Sequence, residues 1–206
     1  MEKLVQGVHD FHRNIFSSQK ELFTRLSTKQ APQTLFITCS DSRIDPCLFT
    51  QTQPGDLFIL RNAGNLIPAY TGYVGSEAAT IEFAVNGLRV IDIIICGHSN
   101  CGAMEALVSD DEMNELPCMK NWLTHASSTK QIILDRYQHL EGENLITAAA
   151  EENVLQQIKN LRTHPCVEEA LEEDRLNLHA WIFDIGEGQV YAYCPEKKQF
   201  ISLLDH

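Results

Sequence analysis

Two short segments hold the residue types from which a metal centre can be built. Cys39-Ser40-Asp41-Ser42-Arg43 offers a thiol, a carboxylate and a guanidinium, and His98-Ser99-Asn100-Cys101-Gly102 offers an imidazole and a second thiol. Zinc takes cysteine sulfur and histidine nitrogen in tetrahedral geometry. His98-x-x-Cys101 places two such ligands within one turn, and Cys39 could supply a third. Structural zinc sites use four protein ligands, usually from closely spaced pairs, whereas here one close pair stands without a second C-x-x-C. Three ligands with one position open is the catalytic pattern. Asp41 and Arg43, two residues apart, leave the same strand end in similar directions. A forked guanidinium beside a carboxylate forms a bidentate pair and keeps the acid ionised. That pair could merely tie down a loop. It could also orient a metal-bound hydroxide, or release Asp41 into the open zinc position.

Each of these residues has an ordinary reading as well. Cys39 could be a buried apolar cysteine, His98 a satisfied loop histidine, and Cys101 a redox-reactive thiol near a helix start. Cys47, Cys96, Cys118, Cys166 and Cys194 have no partner at useful spacing and read as core or surface; Cys96, two residues before His98, is expected to point away. The chain lacks G-x-x-x-x-G-K-[ST], G-x-G-x-x-G and G-x-S-x-G, so neither a nucleotide cradle nor a serine elbow is supported. A thiol redox protein and a noncatalytic zinc-stabilised binding protein remain alternatives at this point, as does a zinc enzyme hydrolysing another linear heterocumulene such as carbon disulfide.

The elements that must position these residues are apolar runs. Thr34-Leu-Phe-Ile-Thr38 precedes the first segment and Val90-Ile-Asp-Ile-Ile-Ile95 the second. Both read as buried strands of a parallel sheet, in which ligands gather beyond the carboxyl ends of the strands. Asp56–Arg61 reads as another strand, after the Pro54-Gly55 turn. Asn62-Ala-Gly-Asn65 reads as a loop, and Val74, Ala78, Ile81, Val85 and Leu88 mark an amphipathic helix. Residues 102–173 read as mostly helical. Leu176–Phe183 and Val190–Tyr193 form a C-terminal strand hairpin across Gly186-Glu-Gly188. Leu4, Val8, Phe11, Ile15, Leu22 and Leu26 place an N-terminal helical arm over 1–28, continuous or broken near Ser17-Ser18. The expectation is an α/β fold, one domain over 1–206, with a mostly parallel central sheet flanked by helices.

The 206 residues carry a formal net charge of −12, which argues against nucleic acid as a partner. The acidic runs at 109–112 and 168–174 read as solvated surface. No run approaches the length of a membrane span, no secretory signal is visible, and the seven cysteines are odd in number. Reduced thiols and a cytoplasmic location are expected.

With these residues assembled, the chain resembles the β-class carbonic anhydrases, most closely the bacterial members associated with cyanate metabolism. The matching segments are Cys39–Arg43, Pro54–Phe58, Arg61–Asn65, Cys96–Gly102, Ala150–Val154, Asn160–Pro165 and Leu178–Trp181. The resemblance implies one Zn2+ per chain on Cys39, His98 and Cys101, with Asp41 either paired to Arg43 or in the fourth position. It implies reversible hydration of CO2 to bicarbonate and a proton by zinc-bound hydroxide. Gln30 and Phe58 match family residues expected to reach the substrate across a dimer interface, in a homodimer or homotetramer. Phe83 stands where the family often has tyrosine, so no hydroxyl is available there. Phe36 replaces the tryptophan of the branch with a noncatalytic bicarbonate pocket, and Arg61 is common to both branches; no tightly regulated bicarbonate switch is expected.

Overall fold

The computed structural model describes residues 1–72, 75–109 and 113–205. Val74 and residues 110–112, singled out above, lie outside them. Two compact units divide at Ala31 and Pro32.

In the first unit, α1 (Glu2–Asp10) runs into a wider π-type turn over Phe11–Phe16, and α2 (Lys20–Leu26) follows. The expected interruption falls at Gln19 (φ −114°, ψ 23°), just after Ser17 and Ser18. Both serine hydroxyls turn back onto the helix, Ser17 Oγ donating to the His12 carbonyl and Ser18 Oγ to that of Ile15. Such bonds compete with the regular ladder and bend a helix. Phe23 packs against Phe11 and Phe16, ring centroids 5.7 and 5.4 Å away.

The second unit is built on six strands: β1 (Thr34–Cys39), β2 (Leu57–Asn62), β3 (Asp92–His98), β4 (Asn177–Asp184), β5 (Gln189–Cys194) and β6 (Gln199–Ser202). Their order is β2-β1-β3-β4-β5-β6, the first four parallel and the last two antiparallel additions. β6 is an addition to the expected hairpin: four residues of mixed exposure carry too short an alternation to read as a strand. β1 and β3 lie in the middle, and Leu35, Phe36, Ile37, Ile93 and Ile95 are fully buried, as continuous β-branched and aromatic runs require.

The chain runs outward from β1 to β2 on one side and returns to β3 on the other. The strand order therefore reverses between β1 and β3, the place where open α/β sheets bind ligands. Cys39 ends β1 and His98 ends β3.

Helices connect and cover the strands: α3 (Pro46–Thr50), α4 (Ser76–Glu82, continued by a π-type turn to Gly87), α5 (Gly102–Val108), α6 (Pro117–Trp122), α7 (Ser127–Arg136), α8 (Gly142–Leu161) and α9 (Pro165–Glu172). The unforeseen α3 is a single capped turn: Asp45 accepts from the Cys47 and Leu48 amides, and Pro46 occupies the first helical position. Its Phe49 stacks on Phe183 at 4.5 Å and meets Phe36, which also touches Trp181. α8 packs on β3 and β4. It approaches so closely that a Cβ at Gly97 would lie 2.9 Å from Val154 Cγ2 and 3.0 Å from Ile182 Cδ1. Among the described residues no helix is long and apolar enough to cross a membrane.

Candidate metal centre

The sheet brings the two chemistry-bearing segments together. The Sγ atoms of Cys39 and Cys101 and a ring nitrogen of His98 all lie within 4.8 Å of one another, and the three residues are buried (5%, 1% and 0% exposed). Cys101 reaches the group because Asn100 turns the chain with φ 51° between the end of β3 and the start of α5. Cys96 is buried outside this cluster, where loss of hydration pushes its thiol well above the ordinary range.

His98 fixes the character of the site. Its Nδ1 lies 2.9 Å from the Ser99 carbonyl oxygen, which can only accept, so Nδ1 carries the hydrogen and Nε2 presents a lone pair. That Nε2 is fully buried and has no hydrogen-bond partner. A buried polar atom left unpaired costs about 1–3 kcal/mol, and here it faces two sulfurs. The backbone-bonded Nδ1, the free Nε2 and two thiols are the donor set of a zinc site with a fourth position open.

The two sulfurs share their charge unequally. Cys39 is brought down to about 4, chiefly because the Cys101 thiol donates to it; burial opposes this, while the Gly64 and Asp41 backbone favour the thiolate. Cys101 is pushed far up by the same partnership and by burial. A divalent cation bound here would leave both as thiolates. The Gly64 N–H donates to Cys39 Sγ at 3.3 Å.

Asp41 sits beside the triad. Its Oδ1 accepts from Arg43 Nε and the Arg43 amide, both at 2.9 Å, and its Oδ2 accepts from Arg43 Nη2 at 2.7 Å. Nη2 also donates to the Asn100 carbonyl at 2.9 Å, joining the two segments. The guanidinium holds the Asp41 carboxyl well below the usual carboxylate range, against the opposing effect of burial. Asp41 Oδ2 stands 3.9 Å from the unpartnered His98 Nε2, so the ionised carboxylate faces the ligand cluster.

Further residues complete the frame. Arg61 is engaged with backbone, its Nε donating to the Cys39 carbonyl at 3.1 Å and its Nη2 to the Asp41 carbonyl at 2.8 Å. It thereby clasps the turn between the two residues. The Arg61–Asn65 motif is the signal in the sequence that points to this residue. Gly64 (φ 79°) favours glycine, since a side chain would be strained at that φ and its Cβ would lie 3.0 Å from Ala103 Cβ. Phe58 is half-buried on β2 with its ring 5.9 Å from that of Phe83, outside the three-ligand cluster. Gln30 is exposed and belongs to the first unit.

A profile of the carbonic anhydrase family matches residues 34–190. The carbonic anhydrase of Synechocystis sp. is 48% identical over 203 residues, covering 98% of this chain and 74% of that protein. The Pseudomonas aeruginosa carbonic anhydrase is 43% identical over 206 residues, covering 100% of this chain and 93% of its own. Among solved structures, the β-carbonic anhydrase CcaA superposes with a TM-score of 0.94 at 46% identity, covering 98% of each chain. A tetrameric β-carbonic anhydrase from Sordaria macrospora gives 0.79 at 30% identity, covering 93% of this chain and 92% of its own.

Proposed function

This chain belongs to the β-class carbonic anhydrase family, and we propose how its residues carry the zinc-dependent, reversible hydration of carbon dioxide. The observation that carries the proposal is the buried, unpartnered Nε2 of His98 facing two cysteine sulfurs beside a carboxylate locked by Arg43. A zinc ion held by Cys39, His98 and Cys101 supplies the Lewis acidity that makes hydroxide available near neutral pH.

The chain's own groups do the remainder. Asp41, kept ionised by Arg43, can only accept hydrogen bonds. Placed against the cluster, its Oδ2 takes an O–H from the attacking water species and aims a lone pair at the CO2 carbon. Arg43 prevents the carboxylate from swinging inward as a competing ligand, because both carboxylate oxygens are already held. The two thiolates offset the dipositive charge of the ion, and the Gly64 N–H draws density back from one of them. Gln30 and Phe58 of a second copy would complete the substrate side with an amide and an apolar wall. Among alternatives, a redox couple would need a Cys39–Cys101 disulfide, for which the unpartnered imidazole has no use.

Asp41→Asn tests this assignment. The amide cannot be held by the same guanidinium fork, so hydration should fall by about 10²-fold or more while the zinc content of the purified protein is unchanged. Wild-type turnover in that variant would remove Asp41 from the reaction. We place the enzyme in a homo-oligomer, supported by the tetrameric relative and by the exposed Leu4, Val5 and Val8 of the arm. Location in the cytoplasm rests on the seven free cysteines. Membership of the cyanate-associated group rests on the motif resemblance, and growth of a deletion strain on cyanate tests it.

A further inference from the structure

The loop that carries Gly64 is held by side chains from distant parts of the chain. Asn62 closes it on itself, its Nδ2 donating to the Leu66 carbonyl and its Oδ1 accepting from the Leu66 amide, both at 2.8 Å. Trp122 Nε1 donates to the Ala63 carbonyl at 2.8 Å. One face of α8 does the rest. Asn153 Nδ2 donates to the Gly64 carbonyl at 3.0 Å, Gln157 Oε1 accepts from the Ile67 amide at 2.8 Å, and Asn160 Nδ2 donates to the Ile67 carbonyl at 2.9 Å. Gln157 Nε2 donates to Asn153 Oδ1 at 2.9 Å, which orients the Asn153 amide with its nitrogen toward Gly64. Spacings of four and three residues put all three on one helical stripe.

These amides occupy places where aliphatic side chains would pack at less cost. Asn153 and Gln157 are 1% and 0% exposed, and a buried amide is tolerated only when paired. What they hold in place is a backbone in contact with the metal ligands. Gly64, at φ 79° and ψ 16°, directs its N–H to Cys39 Sγ while its carbonyl is gripped by Asn153.

We infer that Asn153 is a positioning residue for the metal centre: by fixing the Gly64 backbone it keeps the N–H···S bond on Cys39 and sets how strongly that sulfur donates. An N–H directed at a thiolate withdraws density from it. The bound ion is then left more electron-poor and more acidic toward its open position than two unmodified thiolates would leave it. The inference rests on the assignment of Cys39 as a ligand, and it adds a control reaching that ligand from a helix 114 residues further along the sequence.

Cobalt(II) exchanged into wild type, Asn153→Ala and Trp122→Phe tests it, with sulfur-to-cobalt charge transfer as a readout independent of turnover. A sulfur without its N–H partner is easier to oxidise. The Asn153→Ala band should therefore move to longer wavelength, because the sulfur that has lost its N–H gives up density to the ion more readily. Trp122→Phe loosens the same loop one residue away but spares the Gly64 bond, so it should keep the wild-type band. If Asn153→Ala does not fold, Asn153→Ser carries the same expectation, because its hydroxyl is too short to reach Gly64. A wild-type band in a folded Asn153 variant, or an equal shift in Trp122→Phe, overturns the inference while leaving the metal site intact. Failure of the wild type to bind cobalt overturns both.

Discussion

Replacing Arg43 with alanine isolates the part of the site that is neither ligand nor core. Arg43 is half exposed (48%), so its removal leaves no cavity and should cost little fold stability. What it removes is local: two side-chain bonds to Asp41, at 2.9 and 2.7 Å, and the bridge to the Asn100 carbonyl at 2.9 Å. Bonds to charged groups contribute about 1.5–3 kcal/mol each. With one partner this exposed the lower figure applies, so the two bonds fix the carboxylate by about 3 kcal/mol. Losing that preference, Asp41 can rotate toward the cluster it already faces at 3.9 Å from His98 Nε2. At about 1.4 kcal/mol per decade, kcat/KM should fall by roughly 10²-fold. The assay is stopped-flow CO2 hydration with a pH indicator, alongside zinc content and thermal melting. Zinc should remain stoichiometric and the melt nearly unchanged. Arg43→Lys, a point charge without a fork, should recover only part of the loss. A fully active, zinc-loaded Arg43→Ala would refute the claim that the guanidinium holds Asp41 in a working position.

Two other expectations concern the frame. Gly64→Ala puts a β-carbon 3.0 Å from Ala103 Cβ and 3.2 Å from Met104 Cε at a left-handed φ, so denaturant unfolding should show a loss of at least about 1 kcal/mol, accompanied by weaker zinc retention; unchanged stability would show that the loop relaxes freely. Buried His164 donates from Nε2 to the Pro68 carbonyl at 3.1 Å, and burial lowers its pKa below the ordinary 6.5. The unfolded chain therefore binds this proton more readily than the folded one. Stability is complete above about pH 6.5 and is lost as the pH falls from there through the folded-state value. His164→Gln, which keeps an N–H donor, should flatten the melting temperature against pH in that window, and an unaltered acid-side slope would assign the loss to other groups.

The central strands and the metal ligands were legible for a common reason. β1 and β3 are buried on both faces past their first residues, so their sequences are mostly apolar runs, and the ligands stand where those runs stop. Asp41 and Arg43 were legible as a pair because they stand two positions apart in one segment. The bond from Asn153 to Gly64 was not, since the two stand 89 positions apart and only the packing of α8 on the sheet brings them together. Arg61 carried no assigned role in the sequence beyond its motif, and its part, two donors held by the Cys39 and Asp41 carbonyls, became visible only where β2 lies beside β1. β6 escaped notice because an edge strand of four residues is specified by its neighbour β5 more than by its own pattern.

The central claim is that Cys39, His98 and Cys101 hold one zinc ion on which CO2 hydration depends. The most direct test measures hydration and zinc together, on the protein as purified, after chelation, and after zinc is restored. The account predicts one zinc per chain, loss of turnover in step with loss of zinc, and full recovery with one equivalent. Turnover that persists in the metal-free protein, or zinc retained when Cys39 is replaced by serine, would contradict it.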